Sequence, residues 1–283
     1  MDVEGIPAIP VEAGFVVTLS GGDDTNPTIA TVSLNRPERR NAQTPETWRW
    51  LVRAVNALPG SIRILFIRGE GPSFSAGLDR AMLTAAGGSP SAVSDPGAGE
   101  VSSLADIAHA NPEVASEAIA SFQEAFGLGA RPSLVSIALV QGFAIGAGFQ
   151  LALSCDIRIA AEDAQFSMAE VSLGLVPDLG GTKRLVELVG YSRAASICLT
   201  GRRVSAAEAD QLGLVSAVVP AGRLAEAGDQ FAQQILALPR TSVIETKALL
   251  LSAAQRTQAE QQSAERSAQY RQLRELAGLD DEA

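Results

Sequence analysis

Apolar positions along the chain follow two different periods. The stretches 15–19 and 29–34 are dense in β-branched and aromatic residues, and Gly21, Gly22, Asp23, Asp24, Asn26 and Pro27 lie between them, which predicts two strands joined as a hairpin. Farther on, Trp48, Leu51, Val52 and Val55 recur at helical intervals, with Thr44 placed to cap the helix and Pro45 at its first position. A third strand is predicted over 62–67, ending at Gly69, Gly71 and Pro72. Helical spacing returns at 113–126, a buried strand is predicted over 134–140, and Gly142 to Gly148 reads as a strand-to-helix turn, with the helix continuing through 149–153 and another strand at 156–160. Strands alternating with helices predict an α/β fold. From 85 to 112, Gly, Ser, Ala and Pro dominate, and a long mobile insertion or lid is expected there. Beyond Gly201 the pattern is helical and rich in Ala, Gln, Glu and Arg, apart from a strand-like 215–219. The expected division is a core over 1–200 and a helical C-terminal region over 201–283.

Composition narrows the function classes. A chain of 283 residues, 46 % hydrophobic, can bury a core, and its longest apolar run, 134–140, is strand-sized and too short to cross a membrane. Residues 1–10 contain no basic segment followed by an apolar one, so no secretory signal is expected. Cys155 and Cys198 are far apart in sequence and read as reduced thiols of a cytoplasmic protein. The net charge of −10 argues against a nucleic-acid surface. It also means that a polyanionic ligand must be held by local cations and backbone amides, because long-range attraction is absent. The single histidine, His109, makes any Ser-His-Asp triad depend on one residue, argues against a histidine-rich metal site, and reads as a surface side chain.

Three segments carry candidate chemistry. Two are glycine-containing turns, Ser75-Ala76-Gly77-Leu78-Asp79 after a strand and Gly146-Ala147-Gly148 at a helix start. Small residues let a ligand approach the backbone, and amides at a helix N-terminus lack intrahelical partners, so two such turns can converge as an oxyanion hole or serve simply as structural turns. The third segment, 165–182, places Glu170 and Asp178 among apolar residues and glycines, where a carboxylate can have a raised pKa and act as acid or base. Asp178 could instead cap the helix that follows Gly180. The spacing of Gly142, Gly146 and Gly148 does not make a dinucleotide fingerprint, and no phosphate-loop Gly-Lys-Ser/Thr occurs.

In this order, Leu34-Asn35-Arg36-Pro37, Phe74 to Asp79, Gln141 to Gly148, Leu153 to Ala160, Leu173 to Pro177 and Ala209 to Val215 resemble the enoyl-CoA hydratase/isomerase (crotonase) family. The resemblance implies an α/β, crotonase-like ββα spiral with two roughly perpendicular sheets and a C-terminal helical trimerisation region, trimers often pairing into hexamers. It implies that an acyl-CoA thioester binds with its carbonyl on the amides of Leu78 and Ala147. The rest of the ligand would lie along Ala76, Gly77, Asp79, Gly146, Gly148 and Gln150, with Arg36, Arg39 or Arg40 near the phosphates. No cofactor is implied beyond the coenzyme A of the substrate itself, and no metal, nucleic acid or membrane partner. Gln150 stands where hydratases of the family carry the first of two glutamates; Glu170 matches the second, and Asp178 matches an aspartate of dienoyl-CoA isomerases. Gln150 cannot ionise. The leading expectation is therefore double-bond isomerisation of an enoyl- or dienoyl-CoA by Glu170 and Asp178. The alternatives are hydration by Glu170 with Gln150 positioning water, and a non-catalytic acyl-CoA-binding protein. Dehalogenation is disfavoured, because the family's dehalogenases carry a histidine where Glu124 stands and a tryptophan at Glu170.

Overall fold

The computed structural model describes residues 6–23, 26–84 and 104–279. Its strands are β1 (Phe15–Ser20), β2 (Ile29–Leu34), β3 (Ile64–Gly69), β4 (Val135–Val140), β5 (Phe143–Ile145), β6 (Ile157–Ala161), β7 (Gln165–Ser167), β8 (Val204–Ser205) and β9 (Ala217–Val219). Helices are α1 (Pro45–Asn56), α2 (Ala81–Thr84), α3 (Leu104–His109), α4 (Pro112–Gln123), α5 (Ala147–Ser154), α6 (Gly181–Val189), α7 (Tyr191–Thr200), α8 (Ala206–Gln211), α9 (Leu224–Leu236), α10 (Arg240–Ala253) and α11 (Gln258–Leu276). The larger sheet runs β1-β2-β3-β4-β6-β9 and the smaller one β5-β7-β8.

The expected hairpin forms, with Phe15 opposite Leu34 and Ser20 opposite Ile29. From β2 onward the large sheet is parallel. A parallel strand covered on both faces reads as a continuous apolar run rather than an alternation, and every residue of β4 is buried. On one face Leu65, Ile67, Ala138 and Val140 pack with Trp48 and Leu51 of α1 and Phe149 of α5. On the other, Phe66, Ile137, Leu139 and Ile159 pack with Leu224 and Ala232 of α9. Thr44 caps α1 as its sequence implies, accepting from the Thr47 amide while the Thr47 hydroxyl accepts from the Thr44 amide.

Two boundaries differ from the sequence reading. Most of the expected 85–112 insertion lies outside the described residues, but its last part is helical. α3 buries Ala105 and packs Ile107 on the core, so the apolar residues at 104–107 outweigh the Gly/Ser/Pro-rich composition before them. His109, at the end of α3, is exposed as expected. After Gly201, β9 falls within the expected strand-like 215–219 and extends the large sheet beside β6, α9 covers that sheet, and β8, which was not expected, pairs with β7. Only α10 and α11 stand largely on each other. α10 is pinned to the core by the buried Lys247, whose ammonium reaches Asp156 at 2.7 Å. Among the described residues no helix is long and apolar enough to cross a membrane.

Candidate active site

The two glycine turns meet. Ser75 adds itself to the edge of the small sheet, its amide donating to Phe143 O (2.8 Å) and its carbonyl accepting from Ile145 N (3.0 Å). The next amides are committed in turn: Ala76 N donates to Arg40 O (2.8 Å), Gly77 N to Ser75 Oγ (3.2 Å) and Asp79 N to Gln43 O (2.8 Å). Leu78 N–H has no acceptor among the described residues. Ala147, the first residue of α5, likewise has an unpartnered N–H, as the first turn of a helix dictates. Gly77 brings the two amides together. Its φ of 85° disfavours any other residue, and a Cβ built on it would lie 2.4 Å from Ile145 O and 3.3 Å from Ala147 N. Gly148 is required by packing: a Cβ there would fall 2.5 Å from Ser75 O, so the glycine admits the neighbouring backbone.

Glu170 opens a short 3-10 turn after β7 and is 9 % exposed. Its Oε1 accepts from Gln150 Nε2 at 2.8 Å; its Oε2 is buried and has no hydrogen-bond partner among the described residues. A Cβ built on Gly146 would stand 3.4 Å from Oε1 and 3.9 Å from Oε2, which puts the carboxylate over the turn that presents the Ala147 amide. Burial pushes the Glu170 carboxyl above its usual range, and the charge of Asp178 pushes it further; its own backbone amide and then the Gln150 hydrogen bond oppose both.

Gln150 is itself fixed from the other side. Its Oε1 accepts from Leu179 N (2.9 Å) and Gly181 N (3.1 Å), so one buried amide joins Glu170 to the start of α6. This corrects one alternative from the sequence: Asp178 does not cap α6, whose N-cap is Gly180 without a side-chain bond and whose first amide, Gly181 N, meets Gln150 instead. Asp178 is exposed on the loop before α6, with its carbonyl held by Gln123 Nε2 of α4 at 2.6 Å. Protein packed around its carboxyl raises that pKa too, and its charge is felt at Glu170.

Asp79 and Arg36 meet each other. Asp79, 8 % exposed, accepts from Arg36 (3.2 Å), Arg39 (3.0 Å) and the Ala81 amide (3.1 Å). Burial opposes its ionisation, but the Ala81 amide and the two guanidinium groups together hold its carboxyl below the usual range. Arg36 also donates to Ala42 O (3.4 Å), so its guanidinium is engaged within the protein. Sequence reasoning missed Gln43 and Asn41, both buried beside the first turn; the only sequence signal was polar residues immediately ahead of a capped helix. Among the described residues, no group of three or more His, Cys, Asp or Glu side chains could hold a metal ion.

The two turns thus meet near a buried carboxylate, with Leu78 N–H and Ala147 N–H lacking acceptors among the described residues, and residues 102–277 match the family model described as Enoyl-CoA hydratase/isomerase. The chain belongs to the enoyl-CoA hydratase/isomerase family. Solved structures of a putative enoyl-CoA hydratase from Thermobifida fusca YX are similar to this crotonase over nearly their whole length. The complex with CoA shares 44 % identity and a TM-score of 0.81 over 95 % of this chain and 96 % of that one. The complex with acetoacetyl-CoA shares 44 % and 0.82 over 94 % and 96 %. The chain is 32 % identical to the 2,3-dehydroadipyl-CoA hydratase of Escherichia coli (strain K12), over 72 % of this chain and 71 % of that protein. It is 33 % identical to the probable enoyl-CoA hydratase echA8 of Mycobacterium tuberculosis (strain CDC 1551 / Oshkosh), over 69 % and 67 %. The expected crotonase fold with a helical C-terminal region is thereby confirmed, and the chain is an enzyme of this superfamily.

Proposed function

We propose that this crotonase moves the double bond of an enoyl- or dienoyl-CoA thioester, with Glu170 as the acid/base. The observation that carries the reading is Glu170 itself: a buried carboxylate with one oxygen held by Gln150 and the other without a partner among the described residues, lying over the turn that carries the Ala147 amide. In this mechanism the thioester oxygen accepts from Leu78 N–H and Ala147 N–H. Glu170 Oε2 takes a proton from the carbon next to the carbonyl, and the electron pair passes into the enolate that the two amides stabilise. Removing one such donor typically costs about 10²–10³ in rate. Glu170, now protonated and with its raised pKa, returns the proton to the far end of the allylic system, and the conjugated thioester leaves. Asp178 is the second carboxylate, needed when the acyl chain extends the conjugation toward the loop before α6.

Gln150 supports migration over hydration, because syn addition of water uses two groups that exchange protons and an amide exchanges none. A second reading is hydration of a 2-enoyl-CoA by Glu170 with Gln150 orienting the water; it is favoured by the hydratase names of the relatives. The backbone of Ala76 to Leu78 is the proposed path of the coenzyme A moiety. Exposed Val171, Leu173, Leu175 and Val176 beside the site support a homotrimer or a pair of trimers that would cover them. The free thiols Cys155 and Cys198 fit a cytoplasmic enzyme. The test is to offer 3-enoyl-CoA to the wild type and to Glu170→Gln. The proposal expects the absorbance of the conjugated product to appear with wild type and to fall by about 10²–10⁴ in rate with the variant. If the wild type instead consumes the absorbance of 2-enoyl-CoA and leaves 3-enoyl-CoA untouched, hydration replaces migration.

A further inference from the structure

Gln43 is a buried side chain beside the first glycine turn, bonded at both ends of its amide. It is 1 % exposed, in a segment whose neighbours Asn41, Ser75 and Trp48 are also buried. Its backbone grips the first oxyanion turn on both sides of Leu78: Gln43 N donates to Gly77 O at 2.7 Å, and Gln43 O accepts from Asp79 N at 2.8 Å. Its side chain grips the same turn a second time, through Nε2 to Ser75 Oγ at 3.0 Å, while Trp48 Nε1 donates to Gln43 Oε1 at 2.8 Å.

The direction of every bond in this network is fixed by chemistry. An indole N–H only donates, so the Gln43 atom facing Trp48 must be the carbonyl oxygen, and the NH2 group must face Ser75. Ser75 Oγ then accepts from Gln43 and from Gly77 N–H (3.2 Å), which leaves its one proton for Asn41 O at 2.7 Å. Asn41 is immobilised in its turn: Nδ2 donates to Glu70 O (2.9 Å) and Ser73 O (2.8 Å), and Oδ1 accepts from Arg36 N (2.9 Å). Ring contacts hold Trp48 against Phe122 and Phe126, with centroids 5.2 and 5.8 Å away. The amides on either side of Leu78 are thus bonded within the protein, and Leu78 N–H is the one without an acceptor among the described residues.

We propose that Gln43 is a positioning residue for the oxyanion hole: through Ser75 and the backbone on both sides of Leu78 it aims the Leu78 amide at the thioester oxygen. This rests on the oxyanion reading proposed above and names a residue that acts through that site without touching substrate. An amide displaced by about 1 Å loses on the order of 10²-fold in rate, so the effect belongs in kcat and in enolate stabilisation rather than in the grip on coenzyme A.

The experiment uses acetoacetyl-CoA, whose enolate has its own absorbance, with wild type, Gln43→Leu and Ser75→Ala. Bound thioester and the fraction present as enolate are measured separately, beside kcat and KM and a melting curve. The expected result is near-wild-type binding and KM, with enolate fraction and kcat each lower by about 10–100-fold in both variants. If Gln43→Leu does not fold, Ser75→Ala and Gln43→Glu carry the comparison. In Gln43→Glu the carboxyl can replace the amide donor only while protonated, so its deficit relative to wild type grows as pH rises. A folded Gln43→Leu or Ser75→Ala with wild-type enolate fraction and kcat, or with a loss confined to KM, overturns the role of Gln43 alone. A wild type that binds acetoacetyl-CoA and forms no enolate overturns the oxyanion reading, and the role of Gln43 with it.

Discussion

Gln150→Glu tests the reading of the site most severely, because it adds one proton-exchanging group where an amide stands. The new carboxylate oxygen would replace Nε2 at 2.8 Å from Glu170 Oε1, while its other oxygen still accepts from Leu179 N and Gly181 N, so the start of α6 keeps its anchor. Two carboxylate charges about 4 Å apart repel by about 4 kcal/mol at an effective dielectric of about 20. At about 1.4 kcal/mol per pKa unit, that separates the two ionisations of the pair by roughly 3 units. The pair then holds one shared proton over a window roughly 3 units wide and titrates as a unit. A singly protonated pair can accept a proton from water and deliver another to carbon, so the variant gains hydration of 2-enoyl-CoA. Its pH–rate profile is bell-shaped, with limbs roughly 3 units apart. Wild-type double-bond migration, with Glu170 alone, has an acidic limb above the ordinary carboxylate value of 4.5 and no alkaline limb from this pair. The assay is the initial rate of both reactions from pH 5 to pH 10. A Gln150→Glu enzyme that keeps the single wild-type limb and gains no hydration refutes the argument, because it would mean that the two side chains do not interact as their geometry requires.

Two more predictions follow from the same structure. Glu170 has a folded-state pKa above its unfolded value of 4.5, so the folded state binds the extra proton and the protein loses stability as pH rises through the folded pKa. Glu170→Gln removes that loss: urea melts should show the variant more stable than wild type at pH 8, with the difference shrinking toward pH 4.5, and an unchanged or opposite trend would contradict the burial of the carboxylate. Gly148→Ala drives a methyl group to 2.5 Å from Ser75 O, a backbone atom that cannot swing aside, so it should destabilise by about 1–3 kcal/mol and separate the two oxyanion amides, with the loss of kcat exceeding the change in KM.

Much of the architecture could be read from the sequence, because the signals were local. The hairpin, the Thr44 cap, the β4 run and the strand-to-helix turn at Gly146 depend on residues close in sequence. Glu170 stood out because it was a carboxylate in apolar surroundings, and the structure buries it against Gln150. The supporting network could not be read in the same way. Gln43, Ser75 and Trp48 meet only after α1 has packed behind the turn, and a lone Gln before a helix has no periodicity that announces burial. Asp178 had two readings in sequence, acid/base and cap; it does not cap α6, whose first amide, Gly181 N, meets Gln150 from a different helix. Arg36 and Asp79, both expected beside the ligand, lie 43 positions apart and form an ion pair with each other that no local pattern announces.

The most direct test of the account is the mass of the product formed from 3-enoyl-CoA in deuterated water, measured with wild type beside Glu170→Gln. The account predicts an isomer of the substrate with wild type, carrying deuterium to the extent that the proton on Glu170 exchanges with solvent before it is returned, and unchanged substrate with Glu170→Gln. A product heavier by a whole molecule of deuterated water, or deuterium exchange that persists without the Glu170 carboxylate, would contradict it.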